Sequence, residues 1–559
     1  MFASFDDCEL FRLYLKIIQY LFRIIAKVIS PYDTDMIKHD SQTSDKQILK
    51  QEESNHANRH TRRQFIGGVS SAALALTIVP RHALGGNGFI APSDKITLAY
   101  IGTGTQGLRE LLPLLPIPEL QIIAVCDPQK EAIGYLDWSK NGLRDEIRST
   151  LQSPDWTSGG DHTIPGGRDN GKEIVDTYYA KFRSGQKIRG CNAYADFREL
   201  FEKEKDLNAV KILTPDHLHG LIAMAAMKRG INVTMHKPIS NRLEEGHRVI
   251  EMAGKSKVPT HLIAWDSNGS MDQVMAWINE GAIGTLKEVH NWSNRPVWPQ
   301  YPTLPTDKPP IPKGMDWDLW LGPEAERPYH PHYTNMVFRG WYDFGGGSMA
   351  DMGHYSLWTV FKALGLENPT IIEPNFSHVC GLRDSTAFQI YNNFSFPMAS
   401  SVRFKYPAKG LRPAIDLIWY DGGIRPPVPD ELYEENKELP AEGMMFVGSK
   451  GKILAGFKVD NPHLIPEKRM AGIAVPEVKK RERTSGFKKF MDAIKAGNQC
   501  PGSFTEAGPI TEAINLYAVA LKTGKTLKYD AVNRKITNVA SANKYLSREY
   551  RKGWEPESI

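Results

Sequence analysis

The feature that most constrains the fold is a glycine-rich turn that follows directly from a short apolar stretch. Residues 95–101 read KITLAYI, the length of one buried strand, and lead into the sequence GTGTQG at 102–107. Glycines at this spacing allow a tight turn and a close approach of a pyrophosphate to backbone N–H groups where a helix starts. The pattern predicts a dinucleotide-binding turn made by Gly102, Thr103, Gly104, Thr105, Gln106 and Gly107.

A second strand-length run supplies a carboxylate that can select the cofactor. Residues 120–126 end at Asp127, which lies twenty residues beyond Gly107. A carboxylate at that position accepts hydrogen bonds from both ribose hydroxyls and repels a 2′-phosphate. We therefore predict tightly bound NAD rather than NADP.

Two later strands are also predicted to end in polar residues. Residues 209–213 lead into Thr214-Pro215, and residues 231–235 lead into His236-Lys237-Pro238. Ligands of doubly wound sheets bind beyond the carboxyl ends of the strands, so these ends should share one cleft with the glycine turn. A lysine with a lowered pKa can donate to a substrate hydroxyl and support proton transfer. A solvated lysine at the start of a loop is the alternative.

The second half of the chain has a different pattern, with strands separated by hairpin-like turns. A mainly antiparallel sheet is predicted from the stretches 286–293, 387–396, 400–406, 414–420 and 444–447. Between these stretches, Asp351, His354 and Trp358 are spaced three and four apart, so they share one face if the segment is a helix. A carboxylate beside an imidazole is a candidate acid/base pair.

In this order, the motifs resemble the Gfo/Idh/MocA family of NAD(P)-dependent sugar oxidoreductases over nearly all of residues 93–559. The resemblance implies an α/β protein with a Rossmann doubly wound parallel sheet at 93–257. It also implies a C-terminal α/β domain at 258–559, with a large, mainly antiparallel open sheet that pairs subunits and final segments that pack back on the first domain. The glycine-rich and polar segment 142–190 is interpreted as an insertion, either a lid or an oligomer contact.

The resemblance also implies roles for individual residues. Lys237 and His354 would act at the hydroxyl whose carbon loses hydride, with Asp351 close by. The cofactor would also be contacted by Thr214, Pro215, His219 and Lys237.

Two departures from the family pattern affect these assignments. The family usually has Glu-Lys-Pro, whereas this chain has His236 before Lys237. The family also commonly places its histidine four residues after the aspartate, whereas His354 lies three residues after Asp351 and Tyr355 is the nearest substitute.

Aromatic residues are dense between residues 292 and 358, which suits a flat polar ligand such as a sugar, although aromatic cores are the commoner explanation. The predicted substrate contacts are Trp265, Trp341, Tyr355 and His330. The pair His330 and His332 also invites a metal interpretation, but no third ligand stands at a suitable spacing. No metal is predicted.

Residues 60–86 have the layout of a signal peptide. The pair Arg62-Arg63 precedes a short apolar run at 66–79, which predicts recognition by the twin-arginine export machinery and a periplasmic or cell-envelope location. Residues 1–59 are interpreted as an extension. The apolar stretch at 10–29 would either lie on a membrane surface or reflect a start drawn too early.

Charge excludes one class of partner. Lys and Arg number 69 against 64 Asp and Glu, with no basic stripe, so no nucleic-acid ligand is predicted. We expect an exported NAD-dependent oxidoreductase that acts on a sugar or glycoside hydroxyl, at C3. Because the envelope offers no free NAD pool, NAD would be retained and recycled with cleavage of a glycosidic bond, or reoxidised by an external acceptor. A non-catalytic, NAD-containing glycan-binding protein is the alternative.

Overall fold

The computed structural model describes residues 94–559, apart from 132–133, 159, 161–162, 187, 265–269 and 474–481. The predicted extension at 1–59 and the predicted leader at 60–86 lie outside the described residues. No helix in the described part of the chain is both long enough and apolar enough to cross a membrane.

The strands of the first sheet are β1 Ile96–Ile101, β2 Leu120–Cys126, β3 Asn192–Tyr194, β4 Ala209–Ile212, β5 Asn232–Met235 and β6 Thr260–Leu262. These six strands are parallel and lie in the order β3-β2-β1-β4-β5-β6. β2 is buried along its whole length, as expected where helices cover both faces of a parallel sheet. The order reverses between β1 and β4, and a crevice at such a point is where doubly wound sheets bind ligands. The predicted Rossmann sheet is confirmed, and β6 lies beyond the expected boundary at residue 257.

The described residues of this half of the chain form six helices: α1 Thr105–Leu111, α2 Gly142–Leu151, α3 Arg168–Phe182, α4 Phe197–Lys203, α5 Asp216–Lys228 and α6 Leu243–Lys255. α2 and α3 fall within segment 142–190, which the sequence suggested is an insertion. α3 connects β2 to β3 and packs on β2, where the Tyr179 hydroxyl accepts a hydrogen bond from the Ile122 N–H at 2.9 Å. This helix is therefore part of the doubly wound fold, and the insertion is shorter than predicted.

The strands of the second sheet are β7 Leu286–Trp292, β8 Ile371–Phe376, β11 Ser400–Tyr406, β12 Ile415–Tyr420, β13 Gly443–Gly448, β14 Lys452–Ala455, β15 His463–Ile465, β16 Leu527–Asp530 and β17 Lys535–Ile536. These nine strands lie in the order β15-β14-β13-β7-β12-β11-β8-β16-β17. Every pairing is antiparallel except that of β7 with β12, so the predicted mainly antiparallel sheet is confirmed. Pairing of subunits through this sheet stays a prediction.

A separate two-stranded hairpin consists of β9 Val379–Arg383 and β10 Thr386–Ile390. The stretch 387–396, expected to be one strand, leaves extended pairing after Ile390. Short helical turns connect several elements, at Leu112–Leu114, Pro331–Tyr333, Asn335–Gly340, Glu467–Met470 and Ala540–Tyr545.

Helices of the second half pack against its sheet, and a late one returns to the first domain. They are α7 Met271–Asn279, α8 Trp317–Leu321, a π-helix at Met349–Gly353, α9 His354–Leu364, α10 Asp430–Glu434, α11 Ser485–Ala496 and α12 Gly508–Thr523. Phe490 and Met491 of α11 share an apolar core with Leu98 and Ile122 of the parallel sheet. This late segment therefore packs against the Rossmann domain.

Candidate active site

The glycine turn has the close backbone contacts that a dinucleotide requires. Gly102 has φ +97°, and a Cβ there would lie 2.4 Å from the Leu213 carbonyl oxygen. A Cβ on Gly107 would lie 2.2 Å from the carbonyl oxygen of Gly102. Only glycine fits at either position, so the end of β1 turns into α1 with its backbone open to the cleft.

Asp127 lies at the carboxyl end of β2 and is almost wholly buried. One carboxylate oxygen accepts from the Thr103 N–H at 2.8 Å, and the other accepts from the Gln129 N–H at 2.9 Å. Burial outweighs these bonds and raises the pKa of Asp127 to about 6. A carboxylate accepts more than two hydrogen bonds, so acceptor sites remain for ribose hydroxyls.

A short segment at 134–138, here called the strap, closes one side of the same cleft. The Thr105 hydroxyl donates to the Leu136 carbonyl at 3.2 Å, and Arg109 donates to both carboxylate oxygens of Asp137 at 2.8 Å. Asn335 donates to the Gly134 carbonyl. Sequence reasoning missed the strap because nothing in the local pattern links it to the distant partners that hold it.

The opposite end of the cleft is built around Asp351. Lys237 Nζ lies 2.8 Å from Asp351 Oδ1, with Lys237 almost wholly buried. The Nε atoms of Arg339 and Arg295 lie 3.2 and 3.5 Å from the same carboxylate. The predicted meeting of Lys237 and Asp351 is therefore present in the structure, whereas the two arginines were not anticipated.

This cluster shifts the protonation of its members. Burial lowers the pKa of Lys237, and the Asp351 carboxylate opposes that shift. For Asp351, burial acts to raise the pKa, but Lys237 and Arg339 together hold it well below its usual range. Asp351 is consequently a permanent anion that keeps a buried amine in place.

The π-helix decides which side chains face this cluster. Asp351 lies within it, and Asp351 and Tyr355 both line the cleft. His354 is wholly buried and is not among the lining residues, and burial lowers its pKa to about 3. The Tyr355 hydroxyl lies 3.2 Å from His236 Nε2, so the two residues that depart from the family pattern contact each other.

Comparison with known proteins matches both halves of the chain to one family. The model for the oxidoreductase family, NAD-binding Rossmann fold, matches residues 165–263. The model for the oxidoreductase family, C-terminal alpha/beta domain, matches residues 274–377 and 432–556. The two matches together span more than half of the sequence. The chain belongs to the Gfo/Idh/MocA family of oxidoreductases.

Individual relatives are more distant. A stretch of 115 residues is 31% identical to levoglucosan dehydrogenase of Pseudarthrobacter phenanthrenivorans, covering 19% of this chain and 29% of that protein. The match thus spans less than a third of the relative's length. A structure of levoglucosan dehydrogenase with NADH and L-sorbose has 12% identity and a TM-score of 0.44, covering 78% of this chain and 99% of that one. The aldose-aldose oxidoreductase of Caulobacter crescentus has 14% identity and the same TM-score and coverage.

The cleft of this Gfo/Idh/MocA oxidoreductase fits NAD, the cofactor of the family's Rossmann domain. The predicted cofactor residues that line it are Gly102, Gly104, Thr105, Gln106, Gly107, Asp127, Thr214, Pro215 and Lys237. Thr103 lies behind the turn, where its N–H holds Asp127. His219 is also behind the cleft, and its ring nitrogens lie 2.6 and 2.9 Å from the carbonyl oxygens of Pro238 and Thr214. His219 therefore connects the residues that follow β4 to those that follow β5.

The predicted substrate residues are placed differently from one another. Tyr355 lines the cleft, but Trp341 is buried in an aromatic cluster, where its indole donates to the His332 carbonyl at 2.6 Å. His330 pairs with Asp307 at 3.2 Å and does not line the cleft. Trp265 lies outside the described residues. The indoles that do line it are Trp138, Trp298 and Trp320.

Metal ligation receives no support at the histidine pair. His332 stacks on Tyr301 with ring centroids 4.0 Å apart, which occupies one face of its ring. Within the part of the chain that the structure describes, no three His, Cys, Asp or Glu side chains converge as metal ligands.

Proposed function

We propose that this oxidoreductase acts on a hydroxyl of a sugar or glycoside. The observation that carries the proposal is the position of Lys237 at the carboxyl end of β5, against Asp351 and in the same cleft as the glycine turn. The similarity of part of the chain to levoglucosan dehydrogenase supports this substrate class. When bound, NAD supplies the acceptor for the hydride that leaves the carbon.

Lys237 is the group we assign to the substrate proton. Its ammonium donates a hydrogen bond to the sugar oxygen, and its neutral form takes up the hydroxyl proton at Nζ. Burial makes that neutral form accessible, because it lowers the pKa of Lys237. Asp351 fixes the amine at 2.8 Å, so the proton acceptor keeps its place through the reaction.

Tyr355 is a second group at the sugar. Its hydroxyl is oriented by His236 Nε2, and burial keeps the imidazole neutral by lowering its pKa far below the usual value. A phenol held in this way presents one polar contact to a substrate hydroxyl. We assign Tyr355, rather than the wholly buried His354, to the substrate side of the cleft.

Retention of NAD belongs to the same proposal. The strap is held to α1 by the Arg109–Asp137 pair and by the Thr105 hydroxyl, so release of a cofactor requires several contacts to open together. Retained NAD supports a redox-neutral cycle. Oxidation at C3 would acidify the C2–H, and loss of that proton with the C1 leaving group would break the glycosidic bond. Water would then add at C1 of the unsaturated ketone, and return of the hydride to C3 would restore the hydroxyl. Export by the twin-arginine route is proposed together with NAD retention, because that route exports proteins that have already folded around a cofactor.

The test is incubation of the purified protein with aryl and disaccharide glycosides, without added NAD. Product with a solvent-exchanged hydrogen beside the oxidised carbon supports the redox-neutral cycle. A keto sugar with reduced cofactor supports net oxidation instead. Saturable glycan binding without either product would contradict the enzyme and leave the glycan-binding protein.

A further inference from the structure

The substrate end of the cleft has two guanidinium groups beside Lys237. Arg295 and Arg339 both line it, each with about a fifth of its side chain exposed, at 19%. The Asp351 carboxylate faces both of these cations and Lys237, so it is shared among three positive charges.

Little else in the described residues accepts from the two guanidinium groups. Arg295 donates to the Asn294 side chain at 2.6 Å through Nη1, and the described residues provide its fork with no other hydrogen bond. Arg339 makes its ion pair with Asp351 through Nε and packs its Cζ 4.6 Å from the centre of the Phe338 ring. Its two Nη groups have no acceptor among the residues that the structure describes.

Trp298 lines the same cleft and is only 5% exposed. Its indole Nε1 is enclosed by protein and lies near Gly340, as does the side-chain oxygen of Gln300. This N–H is therefore not available to a ligand, and the donors that remain at this end of the cleft are those of the two arginines.

A second carboxylate lies at this end of the cleft. Asp216 is buried and accepts from the Gly346 N–H at 3.0 Å. Burial raises its pKa, and the nearby Arg339 guanidinium opposes that shift. Arg339 therefore lies close to two carboxylates, and its Nε is the nitrogen that pairs with Asp351.

We propose that Arg295 and Arg339 form a subsite for a carboxylate on the sugar, so that the substrate is an acidic sugar of the uronate type. The inference rests on the proposed function, since it concerns the same cleft. A planar carboxylate matches the donor forks of arginine and accepts from several N–H groups at once. The Nη atoms left over after the Asp351 contacts supply those donors.

The test compares sugars matched in stereochemistry that differ only at the last carbon. Methyl glucoside is paired with methyl glucuronide, and methyl galactoside with methyl galacturonide, using the NAD-containing protein as purified. Binding is followed by tryptophan fluorescence, because Trp138, Trp298 and Trp320 line the cleft. Turnover is followed separately by the absorbance of reduced cofactor and by chromatography of the sugar products, because a redox-neutral cycle leaves the cofactor oxidised. In at least one pair, the acid should bind about 10- to 100-fold more tightly, as expected for charge-assisted hydrogen bonds.

Variants separate docking of a carboxylate from support of Asp351. Arg339→Gln and Arg295→Gln should each weaken binding of the acid more than binding of the neutral partner, so that most of the preference for the acid is lost. Arg383→Gln, on the exposed hairpin, is the matched control and should keep the preference. Equal losses for acid and neutral sugars would assign the arginines to Asp351 alone and overturn the subsite.

The remaining outcomes are also decisive. Neutral sugars that bind as well as the acids in both pairs would overturn the inference, and their turnover would leave the proposed function intact. Acid binding without reaction would support the subsite and contradict the proposed function. Glucose 6-phosphate is the third probe, and tighter binding of this phosphate than of either acid would overturn the carboxylate assignment.

Discussion

Replacement of His354 by leucine tests whether this buried imidazole is structural or catalytic. The side chain is wholly buried and lies outside the cleft lining, and burial lowers its pKa to about 3. Leucine has a similar volume and no proton to bind, so His354→Leu removes the titration with a modest change in packing. Two results are expected, one in stability and one in activity.

The stability result follows from proton linkage. The pKa of an unfolded histidine is about 6.5, so between that value and the folded pKa near 3 only the unfolded chain takes up the proton. Acid therefore favours unfolding, and the stability associated with neutral His354 is lost as pH falls below 6.5. Between pH 7 and pH 5 the linkage relation gives a loss of about 2 kcal/mol from this residue. His354→Leu should lack that part of the acid sensitivity.

The assay is urea unfolding of both proteins at the two pH values, followed by tryptophan fluorescence. Other titrating groups are common to both proteins and cancel in the difference. His378, which is exposed, gives the control variant His378→Leu, and that change should leave the pH dependence unaltered. An unchanged difference between pH 7 and pH 5 in His354→Leu would refute the reasoning from burial. Loss of turnover in His354→Leu, with NAD still bound, would return the histidine to the catalytic role that the family resemblance implies.

Four further predictions use the same protein. Lys237→Met should keep NAD and lose turnover by about 10²- to 10⁴-fold, as for a lost acid/base group, and unchanged turnover would exclude that role. Asp127→Ala should lower NAD affinity by about 10- to 100-fold through the lost ribose hydrogen bonds, measured as cofactor content after dialysis, and equal content would refute the assignment. Asp137→Asn should speed NAD release in a stopped-flow chase, whereas an unchanged rate would show that the strap does not retain the cofactor. Replacement of Arg62 and Arg63 by lysine should leave precursor in the cytoplasm, and normal accumulation in the envelope would contradict the export proposal.

Local signals in the sequence were enough for the first domain and for part of the cleft. A strand running into GTGTQG and a carboxylate after the next strand depend on neighbours in the chain, and the structure places Gly102 and Asp127 in one cleft. The antiparallel sheet was also readable, because β11 alternates buried and partly buried residues along its length. α3 was missed because its glycine- and polar-rich surroundings hide the buried face that packs on β2.

The parts that could not be predicted depend on contacts between residues far apart in sequence. Asn335 contacts the strap from 201 positions away in the sequence, and Asp351 contacts Lys237 from 114 positions away. No local periodicity of the sequence indicates such pairs. Helical spacing was also a poor guide at His354, since the π-helix that contains Asp351 winds more residues per turn and changes which side chains face the cleft.

The two departures from the family pattern are best understood as one change. A glutamate before the lysine and a histidine four residues after the aspartate would place an acid and a base together, whereas this chain has His236 and Tyr355, 3.2 Å apart. Burial keeps the imidazole neutral by lowering its pKa, and the phenol carries no charge at neutral pH. The replacement pair is therefore hydrogen-bonded but uncharged, which leaves Asp351 as the anion that balances Lys237. Arg295 and Arg339 contact the same carboxylate through Nε, and in the proposed subsite their Nη groups donate to the carboxylate of an acidic substrate.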